Sequence, residues 1–310
     1  FGAAGIGMLF GVIQFYKSKI YLGKAGMPEN PINKKQKIKL LISALLIIGF
    51  FIWFISLYSK SISFVKISEV TTYIILFTAF SFFVYILIWG NLNKEERDRV
   101  WVLIALFIGA SMFWSGFEQA GSSLNLFATR YTQLEFSWIT LYSSWFQSIN
   151  SIFIIIFAPI FAYLWIWLAK RNLNPSTPTK FAVGLLFLAL GFLMMVIAST
   201  VITTGSKAMP TWLLLTYLFH TFGELALSPV GLSATTKLAP KRFVGQMMGL
   251  WFVASALGNL IAGRIAGEFD ANNIAGFPSQ YLDIVMTTAG AGIILLILSK
   301  PLQKRMRGTE

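Results

Sequence analysis

The chain has 310 residues, of which 56% are hydrophobic, 16% aromatic and only 12% charged, with a mean hydropathy of +0.70. Soluble domains carry about 25% charged residues, so this composition excludes an ordinary soluble domain and predicts an all-α integral membrane protein. A net charge of +13 would suggest nucleic acid in a soluble chain, but the placement of the charges argues for a lipid bilayer as partner and against nucleic acid.

About 20 mostly apolar residues cross a bilayer as a helix, and the chain offers such segments one after another. Phe1–Tyr16 reads as the second half of one. It opens on Phe in mid-helix with no secretory signal, which leads us to expect the C-terminal part of a longer protein. Lys17–Lys39, with Pro28 and Pro31 in MPENP, reads as a basic connector. Charge of that density cannot enter lipid, and the prolines discourage a continuous helix. Leu40–Tyr58 and Val70–Gly90 follow as a hairpin with an uncharged apolar body. KEERDR at Lys94–Arg99 marks a charged boundary. Six spans come after it: Val100–Phe117, Trp145–Ala169, Phe181–Ser199, Thr211–Leu232, Val244–Ile265 and Tyr281–Leu298. Between the first two of these, Thr129–Ser144 is the longest external connection. It is rich in aromatics and reads as a flat interfacial segment, because Trp and Tyr favour headgroup depth.

Most of the 25 Lys and Arg residues fall on alternate loops. They cluster in Lys17–Lys39, at Lys94, Arg97 and Arg99, at Lys170, Arg171 and Lys180, at Lys237, Lys241 and Arg242, and from Lys300 to Arg307. The positive-inside rule makes that side cytoplasmic, so the Lys-rich linker and the C-terminus are expected there. The other loops hold single bases such as Lys60, Lys66, Arg130 and Lys207.

Several chemistries are disfavoured. There is no cysteine, so disulfides, thiolate zinc sites and thiol catalysis are out. TTGSK at Thr203–Lys207 lacks the spacing of a phosphate-binding loop. The HExxH and GxSxG motifs are absent. The expectation is a protein that is not an enzyme, with no catalytic residue, no metal and no cofactor.

What remains is a small set of polar residues in apolar spans. Glu118 and Glu224 are the two carboxylates within or next to such spans, and a charge at mid-bilayer costs roughly 2.5–3.5 kcal/mol on insertion scales. Function is the default reading for intramembrane ionisable groups: a proton site, or a ligand for a cationic group. An ion pair or an Asn/Gln partner on another helix is the structural alternative. His220 lies one turn before Glu224 on the same face, which fits a water-lined relay or, more simply, a hydrogen bond to a neighbouring helix. Pro229 and Pro159 remove backbone hydrogen bonds and should bend their helices. Gly245 with Gly249, Gly258 with Ala262, and Gly263 with Gly267 have the four-residue spacing that lets helices pack closely. Trp251 and Ser255, one turn apart, suit either such packing or an aromatic, hydroxyl-lined wall. Asn150 fits a hydrogen bond to a substrate or to a neighbouring helix equally well.

Six helices after a long basic loop and an extra hairpin suggest half of a larger two-bundle transporter. FWSGFEQAGSSLNLFA, GELALSPVGLS, TKLAPKRFVGQMMGLWF and ASALGN together resemble the C-terminal half of the proton-coupled oligopeptide transporters, a family of the major facilitator superfamily. The likeness runs in order across Lys94–Leu298, and the hairpin before it is similar to the two inserted helices of bacterial members. It implies an organisation of residues 1–16 as the end of the sixth helix of an N-terminal bundle, 17–39 as a cytoplasmic linker, 40–93 as the inserted hairpin and 94–310 as the C-terminal six-helix bundle. It also implies symport of di- and tripeptides with protons in the plasma or inner membrane. The proton would be the coupling ion, and the missing N-terminal bundle would complete the site.

Residue by residue, the resemblance makes Glu224 the acid that holds the peptide amino group, assisted by Asn150. It makes Trp251, Ser255 and Gln119 part of the pocket wall, and Glu118 the glutamate tied to protonation and to a charge pair with the N-terminal bundle. His220 matches no histidine of the family, so a relay role for it has no support there. A related carrier of another small solute, and a channel or scaffold in which the glutamates form structural ion pairs, are the rival readings.

Overall fold

The computed structural model describes residues 2–23, 33–58, 64–269 and 273–308. Pro28 and Pro31, on which the connector reading rests, lie outside these residues. The chain divides into two compact units, residues 1–64 and 65–310, and the division separates the two helices expected to pair as the 40–93 hairpin.

The first unit holds α1 (Gly2–Ser18), a 3₁₀ turn at Lys19–Leu22 and α2 (Lys34–Tyr58). α2 begins six residues before the expected span, because Asn33 and Gln36 cap it reciprocally. Gln36 N donates to Asn33 Oδ1 at 2.8 Å, and Asn33 N donates to Gln36 Oε1 at 3.1 Å. Two otherwise orphaned backbone donors are satisfied in this way, which lets the helix start among lysines.

The second unit holds α3 (Phe64–Trp89), apart from its first residue, and α4 (Lys94–Phe117). α4 starts at a second capping box. Glu96 N donates to Asn93 Oδ1 at 2.8 Å, while Asn93 N donates to Glu96 Oε2 at 3.1 Å. Glu95 and Glu96 in the first turn also complement the helix dipole. A 3₁₀ turn at Glu118–Gly121 separates α4 from α5 (Ser123–Tyr131). Thr129–Ser144 is not a flat segment. α5 runs into it, and strands β1 (Glu135–Phe136) and β2 (Ile139–Thr140) pair antiparallel within it. The segment is anchored to the loop before Pro210: Ala208 N donates to Tyr131 O at 2.9 Å and Gln133 N to Ala208 O at 2.8 Å. These paired backbone groups explain why aromatic content alone misread it.

Then come α6 (Ser143–Lys170), α7 (Thr177–Thr203), α8 (Pro210–Leu238), α9 (Val244–Gly267) and α10 (Phe277–Arg305). Pro178 and Pro210 sit in the first turns of α7 and α8, where a missing N–H costs nothing. Among the described residues, seven helical segments are long and apolar enough to cross a membrane. Hydroxyls inside them, such as those of Ser111 and Thr288, donate to carbonyls three or four residues back, which keeps them satisfied without water.

α7 is the central helix and packs against α8 and α10. It meets α8 where two glycines face each other. A Cβ on Gly223 would lie 2.7 Å from Gly184 O, and one on Gly184 would lie 2.9 Å from Gly223 O. Backbones can approach this closely only without side chains. On one side of this contact Phe113, Leu185, Leu188 and Phe192 are fully buried.

The small-residue spacing on α9 needs correction. A Cβ on Gly258 would stand 2.5 Å from Trp114 Cβ and 3.0 Å from Ser111 O and Ser115 N, so this glycine seats α9 on α4. Gly245, Gly249, Gly263 and Gly267 have no neighbour within 4 Å. Four-residue spacing marks a helix face, not whether this unit supplies its partner.

Candidate functional site

The polar residues of the apolar spans gather where α6 meets α8 and where α4 meets α9. On α8, Glu224 follows Gly223, so the close α7–α8 contact fixes its height in the bundle. Asn150 reaches it from α6: its Nδ2 donates to Glu224 Oε2 and to Thr221 Oγ1, both at 3.1 Å. The Thr221 hydroxyl in turn donates to Tyr217 O at 2.7 Å. Thr221 is fully buried, so it orients the asparagine, and the asparagine orients the carboxylate. Glu224 makes no ion pair among the described residues. The structural alternative of an Asn partner is therefore present, but it uses one carboxylate oxygen and leaves the charge uncancelled.

Glu118 stands at the break in α4, as the residue that ends the helix and opens the 3₁₀ turn. Its partner comes from α9. In the amide orientation that satisfies both ends of the side chain, Asn259 Nδ2 donates to Glu118 Oε1 and to Ser255 O, each at 3.2 Å. Glu118 also has no ion pair among the described residues, and it lies within electrostatic range of Glu224. Both glutamates are half-buried.

The three residues expected in a pocket wall are placed differently from one another. Gln119 is fully buried, with both ends of its amide hydrogen-bonded. Nε2 donates to Ala262 O at 3.0 Å, and Oε1 accepts from Ser123 at 2.8 Å and Ser122 at 3.1 Å. In this structure it fastens the break in α4 to α9 and faces no open space. Trp251 is 7% exposed and packs edge-on to Phe181 with ring centroids 6.1 Å apart, over Gly231, where a Cβ would meet its ring at 2.1 Å. Ser255 is half-buried on the same helix, one turn before Asn259.

His220 is 1% exposed and is held by apolar contacts. Its ring lies 4.8 Å from the Phe192 ring and against Gly191, where a Cβ would fall 2.4 Å from the imidazole Cδ2. Neither ring nitrogen makes a well-formed hydrogen bond among the described residues. The backbone of Leu188 on α7 is the group within hydrogen-bonding range of the ring, so a partner on a neighbouring helix is present but poorly aligned.

Asn259 and Thr221 were missed by the sequence reading. Asn259 closes the quoted ASALGN and is a polar residue in an apolar span, so the argument applied to Asn150 would have found it. Thr221 carries no such signal, since threonines in membrane helices are common and satisfy themselves.

A cleft of about 420 Å³ opens beside this region, walled by Phe161, Trp165, Leu225, Pro229 and others. It lies toward the Lys180 and Lys237 ends of their helices and includes neither glutamate.

A multi-pass helical protein with two intramembrane carboxylates, neither in an ion pair among the described residues, has the features that mark a substrate or ion pathway. A model of the POT family matches residues 1–280, and the chain belongs to that family. It is 36% identical over 323 residues to the peptide transporter YePEPT of Yersinia enterocolitica strain YE-P4, covering 100% of this chain and 63% of that protein. It is 30% identical over 319 residues to a di-/tripeptide transporter of Lactococcus lactis subsp. cremoris, covering 99% and 62%. A crystal structure of peptide transporter POT in complex with sulfate superposes with a TM-score of 0.83 at 33% identity, over 99% of this chain and 62% of that one. The chain thus spans a little over three-fifths of the length of these relatives.

Proposed function

We propose that this chain forms the C-terminal part of a proton-coupled symporter of di- and tripeptides that works by alternating access. The observation that carries the reading is the Glu224–Asn150 pair: a half-buried carboxylate, oriented through one oxygen, with no ion pair among the described residues. Such a group suits the primary ammonium of a peptide, because a charge-assisted hydrogen bond in a poorly solvated site is worth roughly 1.5–3 kcal/mol. The names of the relatives favour a peptide over other amines.

In this account Glu118 carries the coupling proton or, when ionised, pairs with a base from the N-terminal bundle. Coupling requires that its protonation change the relative free energy of the two access states. A residue at a helix break, in electrostatic range of the substrate carboxylate, is placed to do so. No cofactor other than the proton is invoked, and no chemical step is catalysed. The membrane is the cell's plasma or inner membrane. The Lys17–Lys39 linker and the C-terminus are assigned to the cytoplasm by their positive charge.

Ligand-dependent stability of the complete protein tests the substrate assignment. Dialanine at 100 times its dissociation constant should stabilise the protein by about 2.7 kcal/mol, and N-acetyl-dialanine, which has no ammonium, should not. Equal stabilisation by both would remove Glu224 from the amino end of the peptide.

A further inference from the structure

Glu118 is held from α9, not from its own helix, and the hold has two points. Asn259 donates to Glu118 Oε1 at 3.2 Å, and Ala262, three residues further along α9, accepts from the Gln119 amide at 3.0 Å. Gly258, immediately before Asn259, is the place where α9 lies directly on the α4 backbone, with Ser111 O and Ser115 N each 3.0 Å from a Cβ built there. Two positions of α9, Asn259 and Ala262, therefore hold the 3₁₀ turn, and Gly258 seats α9 on the helix just before it. Gln119 is buried and its amide does not titrate, so that grip is constant. The Asn259 bond is different, because it ends on a group that can gain or lose a proton.

We propose that Asn259 is the positioning residue for Glu118 and the link through which its proton occupancy reaches α9. The inference rests on the transport reading above. An amide N–H donates more strongly to a carboxylate than to a carboxylic acid. Asn259 Nδ2 also donates to Ser255 O, so a change in its bond to Glu118 is felt within α9, one turn from Ser255 itself. Among the described residues Glu224 on α8 is a charged group in range, and no base makes an ion pair with Glu118. Asn259 is thus the donor that this unit supplies to the coupling glutamate.

The test uses the complete protein in liposomes and reads the ratio of proton-gradient-driven dialanine accumulation to dialanine counterflow, which needs no gradient. Asn259→Leu keeps the branching and heavy-atom count of the side chain and removes the donor; it should lower the ratio about tenfold or more, the loss expected for one hydrogen bond to a charged group. Asn259→Gln retains an amide and should recover most of the ratio, which a packing role would not do. Melting temperature with and without dialanine checks that each variant folds and binds. If Asn259→Leu matches wild type while Glu118→Gln lowers the ratio, the positioning role is wrong and the transport reading stands. If neither variant changes the ratio, or wild type itself accumulates no peptide, both are overturned.

Discussion

Glu224 and Asn150 sit on different helices and meet at 3.1 Å, so each tests the other. Asn150→Ala would leave the carboxylate in place but free to rotate away from the substrate. We expect dialanine affinity to weaken about tenfold or more, the equivalent of one hydrogen bond to a charged group, with folding intact; a binding titration measures it. His220 makes the opposite case. Its neighbours include Phe117, Phe192, Gly191 and the Leu188 backbone, and no hydrogen bond joins it to Glu224 among the described residues. His220→Leu keeps the volume and removes a buried polar ring without well-formed hydrogen bonds, and such a swap is close to neutral. Gradient-driven uptake by His220→Leu should therefore equal that of wild type. Loss of coupling in that variant would restore the relay.

At the scale of elements, helix breaks and close contacts decide where these side chains point. Substituting Gly258 by Leu would drive a side chain into the α4 backbone. Overpacking of this kind typically costs about 1–3 kcal/mol, read as a fall in melting temperature. Gly263→Leu, with no neighbour within 4 Å, should leave the melting temperature of this helix pair unchanged. The same two residues show what was legible in the sequence. Apolar length predicted the helices, because lipid admits little else, and intramembrane charge predicted Glu118 and Glu224. The spacing of small residues could not tell Gly258 from Gly263, because the difference lies in α4, more than a hundred residues away. The end of the span at Phe117 was legible from the carboxylate that follows it, but the anchoring of the 3₁₀ turn to α9 was not. That anchoring depends on Gln119 finding the Ala262 carbonyl. The roles of the carboxylates entered by resemblance to a family, and the structure adds the partners.

At the scale of the whole molecule, ion pairs join elements that the sequence placed on one side by charge alone. Arg242, between α8 and α9, lies 3.7 Å from Glu96 and donates to Asn91 O at 2.7 Å. Arg307, after α10, donates to Asp98 Oδ2 at 2.6 Å. Three of the basic clusters thus share one end of the second unit. Exposed pairs contribute little to stability and are screened by salt. Arg307→Ala should therefore leave the melting temperature nearly unchanged, with any small effect gone at high salt.

The complete protein would be reconstituted in liposomes, an inward proton gradient imposed, and labelled dialanine followed for wild type and for Glu224→Ala. The account predicts accumulation above equilibrium by wild type and none by Glu224→Ala. Undiminished accumulation by Glu224→Ala, or none by correctly folded wild type, would contradict it.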